Sequence, residues 1–332
     1  VKEVHSSWLN DADVLALRGP RNPVDPWLPY AYFVEDERTA AGLIESVATV
    51  FLTNRECPLR CVMCDLWKNT VPVTVPIGAI PTQVDFALSR LPTTKHAKLY
   101  NSGNFFDRRA IPAEDLPHIA RRIEHLETVI VENHPRFCTA ACGEFRRLLS
   151  GRLEIAMGLE TIHAESLRRL NKQMTVQDFF RAVEYLLSDD IDVRTFILLR
   201  LPGMSETEGI EWSVKSADAA FRRGVSTCTI IPVRGGNGAM VRLAEQGQFQ
   251  PPVLRSLETT FEECLRLKCA GNQQRVFVDL WDLVQISRCE FCFSARQQRL
   301  REMNNSQLIL PPVECPVCDN NSQDIRATQF FK

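Results

Sequence analysis

The 332-residue chain has no long uncharged apolar run, so no membrane span is expected. Its formal net charge of -2 gives no overall attraction to nucleic acid or to an anionic membrane, which leaves only local basic patches. Val1 to Leu9 lack the basic flank and apolar run of a secretory signal, a pattern that predicts a cytoplasmic protein. There is no Walker loop, because the glycines at 235, 236 and 238 are not followed by Lys and Ser or Thr. No recognised RNA-binding module is present either. Hydrophobic residues at 45% and charged residues at 24% are ordinary for a globular protein, which excludes fibrous and disordered classes. Cysteine is what the sequence has in unusual supply. In a reducing compartment its twelve cysteines are expected as buried small hydrophobes, metal ligands or catalytic groups, and least of all as a disulfide framework.

Residues 1–45 read as an N-terminal arm. Arg18 to Tyr32 holds four prolines and little periodicity, and Trp8, Trp27, Tyr30, Tyr32 and Phe33 predict that the arm packs over a domain surface. From Val47 onward, strand-length apolar runs alternate with helical patterns. Strands are expected at 48–53, 97–101, 128–132, 153–159, 193–199, 226–231 and 275–280. Between them Ile77, Ile80, Val84, Leu88 and Leu91 recur at helical spacing, as do Phe179, Val183 and Leu186. This alternation over residues 46–285 predicts an α/β fold with a parallel sheet, either a barrel or a doubly wound sheet. A barrel collects its working residues at the C-terminal ends of its strands. Residues 286–332 are expected to form a small C-terminal module, in which two cysteine pairs bracket a polar helical stretch.

The sharpest feature is Cys57-Pro-Leu-Arg-Cys61-Val-Met-Cys64, on the loop that leaves the first of these strands. Three thiolates on a four-iron cluster leave one iron without a protein ligand. A structural zinc site would want a fourth ligand nearby, and the nearest candidates, His96 and Cys138, are far along the chain.

This loop resembles that of the radical S-adenosylmethionine superfamily, whose CxxxCxxC motif follows the first strand of a six-stranded partial (β/α) TIM-like barrel. The resemblance covers roughly Val47 to Val284. It implies a [4Fe-4S] cluster on Cys57, Cys61 and Cys64, with S-adenosylmethionine chelated at the open iron. Reductive cleavage then yields a 5′-deoxyadenosyl radical, which takes a hydrogen atom from the substrate. An electron donor such as flavodoxin or ferredoxin is the expected partner. Family members carry an aromatic residue before the third cysteine, against the adenine; here that position is Met63, whose thioether can pack on a ring.

Other strand ends carry the rest of the expected site. Asn101, Ser102 and Gly103 occupy the turn that in the family holds the methionyl amino group, in the manner of the elongator and methylthiotransferase-like branch. Met157-Gly158-Leu159-Glu160-Thr161, followed by a helix ending in Asn171-Lys172, is similar to the elongator-type signature, which places Glu160 near the ribose or methionyl group. Arg200, before Pro202-Gly203, fits a carboxylate donor or, equally, an arginine paired with a helix acid. Gly235 and Gly236 suggest close backbone approach to a ligand, with a plain flexible loop as the competing account. His134 could contact substrate or shuttle a proton, although a hydrogen-bonded structural histidine is the commoner outcome. Cys138, Cys142, Cys228, Cys264 and Cys269 are expected as packing residues.

In the tail, Cys289-x-x-Cys292 and Cys315-Pro-Val-Cys318 have the spacing of paired metal knuckles, so a closed site holding Zn2+ or a second [4Fe-4S] cluster is expected. The elongator-like signature and this module resemble enzymes acting on tRNA bases, including the archaeosine-forming group. The substrate is therefore expected to be a tRNA nucleoside or, alternatively, a small metabolite rearranged or oxidised in the barrel. A basic rim at the barrel mouth would favour RNA, and an acidic or apolar mouth a metabolite. From another class, a non-catalytic zinc-binding scaffold would use both cysteine groups without cleaving S-adenosylmethionine.

Overall fold

Apolar runs of five to eight residues that need cover on both faces assemble as a parallel sheet behind helices. The computed structural model describes residues 8–267 and 274–320. Its sheet begins with β1 (Ala31–Arg38), antiparallel to β2 (Ile44–Phe51). It continues in parallel and in chain order through β3 (His96–Tyr100), β4 (Thr128–Glu132), β5 (Arg152–Glu160), β6 (Asp192–Leu199), β7 (Thr227–Pro232) and β8 (Arg275–Val278). All seven expected strands are therefore present. The sheet is a partial TIM-like barrel with eight strands among the described residues, two more than the six expected.

The first of these, β1, lies inside the stretch read as an extended arm. Four consecutive charges, Glu35 to Arg38, hid it in the sequence. Two of them explain it in the fold: Lys98 reaches Glu35 at 2.8 Å and Glu37 at 2.6 Å, and Arg194 reaches Glu37 at 2.5 Å. Pairing with the apolar β2 and these ion pairs supply what the strand's own composition lacks. Ahead of it, the arm does pack on the protein, with Arg18 over the Trp67 ring and Gln83 donating to the Pro26 carbonyl at 2.7 Å.

The helices are α1 (Asp11–Ala16), α2 (Ala79–Leu88), α3 (Asp115–Arg122), α4 (Ala140–Leu148), α5 (Ala164–Arg169) and α6 (Val176–Ser188). They continue with α7 (Glu206–Arg222), α8 (Gly238–Glu245), α9 (Leu254–Arg266), α10 (Glu290–Ser306) and α11 (Pro316–Asn320). Capping boxes start α6 at Thr175 with Asp178 and α7 at Ser205 with Glu208. Along each strand one set of alternate residues, such as Val50, Leu99, Val131, Ile155 and Ile197, joins the main core under the helices. The other set faces the concave side. Thr49, Lys98, Glu132, Gly158, Arg194 and Thr229 come from six different strands yet line one cavity of ≈ 1080 Å³, as a curled sheet allows.

Cys142, Cys228 and Cys264 are buried, while Cys269 lies outside the described residues. Among the described residues no helix is long and apolar enough to cross a membrane.

Candidate cluster and cofactor site at the strand ends

The loop after β2 carries the cysteine triplet and is fastened from three sides. Val62 N–H donates to the Leu170 carbonyl at 3.0 Å, and Asn171 donates to the Arg60 carbonyl at 2.9 Å, both from the end of α5. Asn237, which caps α8, donates its side-chain amide to the carbonyls of Val62 at 3.0 Å and Cys64 at 3.3 Å. Arg18 of the arm pairs with Glu56 at 2.5 Å. Held in this way, Cys57, Cys61 and Cys64 all line the cavity.

Burial pushes all three thiols up, that of Cys64 to about 11, with Lys172 acting in the opposite direction. Neutral thiols of this kind become ligands only when a cationic metal group displaces their protons. Asn104 donates to Cys57 Sγ at 3.3 Å, a bond suited to a thiolate. No other Cys, His, Asp or Glu among the described residues joins them in a close ligand group. His96 sits at the start of β3, paired with Glu45 at 3.1 Å, and Cys138 contacts Met157 and His134. The donor set fits a cluster with one iron left open.

The ends of β3 and β5 share a device. Ser102 (φ 50°) and Glu160 (φ 63°) both adopt the left-handed conformation, uncommon for residues with a side chain. Glu160 there forms a buried ion pair with Lys172 on the cavity wall. Burial pushes against the Lys172 charge, but Glu160 and the cysteines lift its pKa above the ordinary lysine value. Ser102 and Gly103 also line the cavity, and Ser102 Oγ lies 2.8 Å from the Tyr30 hydroxyl of the arm. Asn101 is fully buried just behind them, and neither atom of its side-chain amide has a hydrogen-bond partner among the described residues.

The remaining expected residues divide. Met63 lines the cavity and packs against the smaller core of Val62, Leu198 and Met240. His134 lines it too, but both ring nitrogens are engaged by backbone: Nδ1 accepts from Arg136 N–H at 3.1 Å and Nε2 lies 3.1 Å from the Lys172 carbonyl. Burial pushes its pKa down to about 3, so the ring is neutral. The structure thus places it as a hydrogen-bonded histidine that orders the chain at Lys172.

Arg200 stands away from the cavity lining. It bonds Glu206 at 2.6 Å and the Pro251 carbonyl at 2.7 Å, the pairing with a helix acid. Gly235 and Gly236 do not line the cavity either, and the space beside Gly236 is open. Their neighbour Asn237 makes that loop's contribution, by gripping the cysteine loop.

The four tail cysteines converge, all their Sγ atoms lying within 4.8 Å of one another.

No protein-family profile matches the chain. It is 24% identical over 251 residues to an uncharacterised protein of Methanocaldococcus jannaschii, covering 71% of this chain and 69% of that one. It is 30% identical over 170 residues to archaeosine synthase subunit beta of Methanosarcina acetivorans, covering 48% of each, so the match spans about half of that relative. Among solved structures, a radical S-adenosylmethionine methyltransferase from Sphaerobacter thermophilus superposes with a TM-score of 0.51 at 15% identity, covering 80% of both chains. The chain has the radical S-adenosylmethionine fold.

Within this fold, four further side chains at the site lie outside the set of expected site residues. Asn104 and Asn237 act through contacts made over long separations, which no local pattern reveals, whereas Lys172 closes the same signature string that holds its partner Glu160. Glu132, at the end of β4, lines the cavity and accepts from Asn101 N–H at 3.4 Å. Burial pushes its carboxyl up to about 7. A carboxylate closing an apolar strand, Thr128 to Val131, was the available signal.

Proposed function

We propose that the chain is a radical S-adenosylmethionine enzyme that modifies a nucleoside carried by tRNA. The observation that carries the chemistry is the set of three half-buried thiols, without a fourth ligand among the described residues, opening onto a large cavity beside the Glu160–Lys172 pair. Cys57, Cys61 and Cys64 would hold the cluster, which would supply the electron for reductive cleavage of S-adenosylmethionine and so the radical chemistry on the substrate.

The protein's own residues bind and orient. Glu160 and Lys172 offer a carboxylate and an ammonium, which complement the ammonium and carboxylate of a methionyl group. Ser102 and Gly103 line the same cavity, and Met63 offers a polarizable face to the adenine. The neutral His134 holds the backbone of Lys172, and so positions that ammonium. A flavodoxin or ferredoxin is the proposed electron donor, and the tail cysteines are proposed to hold a second metal.

Two findings support a nucleoside. One is the likeness to an archaeosine synthase subunit. The other is an aromatic wall in the cavity: the rings of Phe33 and Trp281 are 5.7 Å apart and those of Phe51 and Tyr100 are 5.9 Å apart. Such rings receive the face of a planar base.

Charge favours the second reading, a small metabolite. Acidic side chains outnumber basic ones along the cavity lining. Arg122, Arg146, Arg168 and Arg296 are engaged with Asp85, Asp190, Glu165 and Glu258, which argues against a free phosphate-binding rim at these positions.

The test is anaerobic reconstitution with iron and sulfide, reduction, and an assay for 5′-deoxyadenosine. Wild type is expected to form it and Cys61→Ala to form none. Equal yields would remove the radical reading and leave the zinc scaffold. Adding bulk tRNA is expected to raise turnover in a strongly salt-dependent way; stimulation by free small molecules alone would favour the metabolite.

A further inference from the structure

The tail cysteines differ geometrically from the triplet. Cys289 and Cys315 have their Sγ atoms 3.9 Å apart, and Cys292 and Cys318 3.8 Å. Among the described residues theirs is the one group of possible ligands drawn this close. Thiolates bonded at about 2.3 Å to one tetrahedral ion stand about 3.8 Å from each other. A cubane puts each thiolate on its own iron at the outside of the cluster and so spreads the sulfurs much further apart.

We propose that the tail holds a single tetrahedral zinc ion and that this ion clamps α10 as the wall closing the open side of the barrel. The inference rests on the reading of the tail as a metal site. Cys289 is the residue that starts α10 and Cys292 lies in its first turn. At the other end the chain turns at Gln307 (φ 58°) and runs back, with Arg299 of α10 donating to the carbonyls of Leu310 at 2.5 Å and Pro311 at 2.7 Å. A 17-residue helix is about 26 Å long, and the eight steps from Gln307 to Cys315 span about that distance when nearly extended. One ion therefore ties the start of the helix to the end of the segment that runs back along it.

The far end of α10 completes the sheet. Asn304 accepts from Val278 N–H and donates to the Val278 carbonyl, both at 2.9 Å. Gln307 does the same at Val276, at 2.9 and 2.6 Å. Two side-chain amides thus stand in for a missing strand at the edge of β8. From the opposite edge, Arg38 of β1 donates to the Asn305 carbonyl at 3.1 Å. The helix spans the gap between the first and last strands, and Arg301, Asn304 and Asn305 line the cavity. Yet among the described residues it fully buries only Cys292, Arg299, Leu300 and Met303, with Phe293 partly covered and Phe291 exposed. So little apolar burial holds a helix weakly, and a metal tie supplies the rest.

Metal analysis of the wild-type protein with its cluster is expected to find one zinc and four irons per chain. The Cys57→Ala, Cys61→Ala, Cys64→Ala variant is expected to keep the zinc and lose the iron. Eight irons, or iron in place of zinc, would overturn the inference; no metal at the tail would overturn the reading beneath it. Hydrogen exchange then tests the clamp. Removing zinc from the folded protein with a chelator is expected to speed exchange at Val276 and Val278 at least tenfold and to leave β5 unchanged. No acceleration, or equal acceleration in β5, refutes the clamp. Asn304→Ala is expected to speed exchange at Val278 with zinc still at one per chain; loss of zinc in this variant would also count against it.

Discussion

Lys172 reaches the Glu160 carboxylate across the face of Gly158, and a Cβ built on Gly158 would collide with both partners. The glycine of the Met-Gly-Leu-Glu string is thus the vacant space in which a buried ion pair forms. Gly158→Ala is expected to displace the pair and weaken S-adenosylmethionine binding about tenfold or more, roughly 1.4 kcal/mol. Iron content should stay the same. Equilibrium binding to the reconstituted protein measures the first and iron analysis the second. Unchanged affinity would remove the pair from the cofactor site.

Asn237 joins the glycine-rich loop to the cysteine loop through two donated bonds, while its Oδ1 caps α8 by accepting from Met240 N–H at 2.7 Å. Asn237→Ala is expected to cost about 1 kcal/mol as a lost cap. It should also make the cluster severalfold more labile to an iron chelator, read from the decay of its visible absorbance. A cluster as durable as the wild type's would show that the grip on Val62 and Cys64 is dispensable.

Glu132 gives a pH dependence. Burial raises its folded-state pKa to about 7 from an ordinary value near 4.5. Relative to Glu132→Gln, the stability it contributes is complete below about pH 4.5 and is lost as the pH rises through about 7. The variant should therefore gain on the wild type between these limits, by on the order of 3 kcal/mol at most. Thermal unfolding of both proteins at pH 5 and pH 8 measures the change. A constant difference would mean that the carboxylate is better solvated than its surroundings suggest.

Beneath the cofactor region, Arg194 joins Glu37 at 2.5 Å to Glu154 at 3.2 Å on the floor of the barrel. Arg194→Met leaves Glu37 with Lys98 at 2.6 Å and Glu154 with Arg275 at 3.7 Å, and the loss of the charge-assisted bonds is expected to destabilise the fold by about 1.5–3 kcal/mol. Arg194→Lys should recover only part of this, since one ammonium cannot reproduce the two-sided fork. Urea unfolding midpoints of the three proteins provide the test, and a Met variant as stable as wild type would mean that the ion pairs are replaceable by packing.

Much of the scaffold was legible along the chain because it depends on local periodicity. Runs such as Thr128–Glu132 and Asp192–Leu199 announce strands buried on the helix side, whatever faces the cavity. The Cys57, Cys61, Cys64 spacing is equally local, since three ligands on one short loop need no distant partner to be recognised. Strand β1 escaped because its stability comes from partners far away: Glu35 and Glu37 make sense only beside Lys98 and Arg194. Arg200 and the glycines at 235 and 236 sit at the expected strand ends, but sequence does not say which way a side chain turns, and Arg200 turns towards Glu206.

The alternation of strands and helices, the cysteine loop after an early strand, and the four-cysteine tail can all be read along the chain, because each is written in spacings of a few residues. The ion pair over Gly158, the hold of Asn237 on the cysteine loop, the charged floor, and the seat of α10 across the gap between β1 and β8 emerge only once the chain is folded. Those contacts join residues from 12 to 267 positions apart. They exist because curling the sheet brings distant strand ends together around one cavity, where burial makes each charge and amide find a partner.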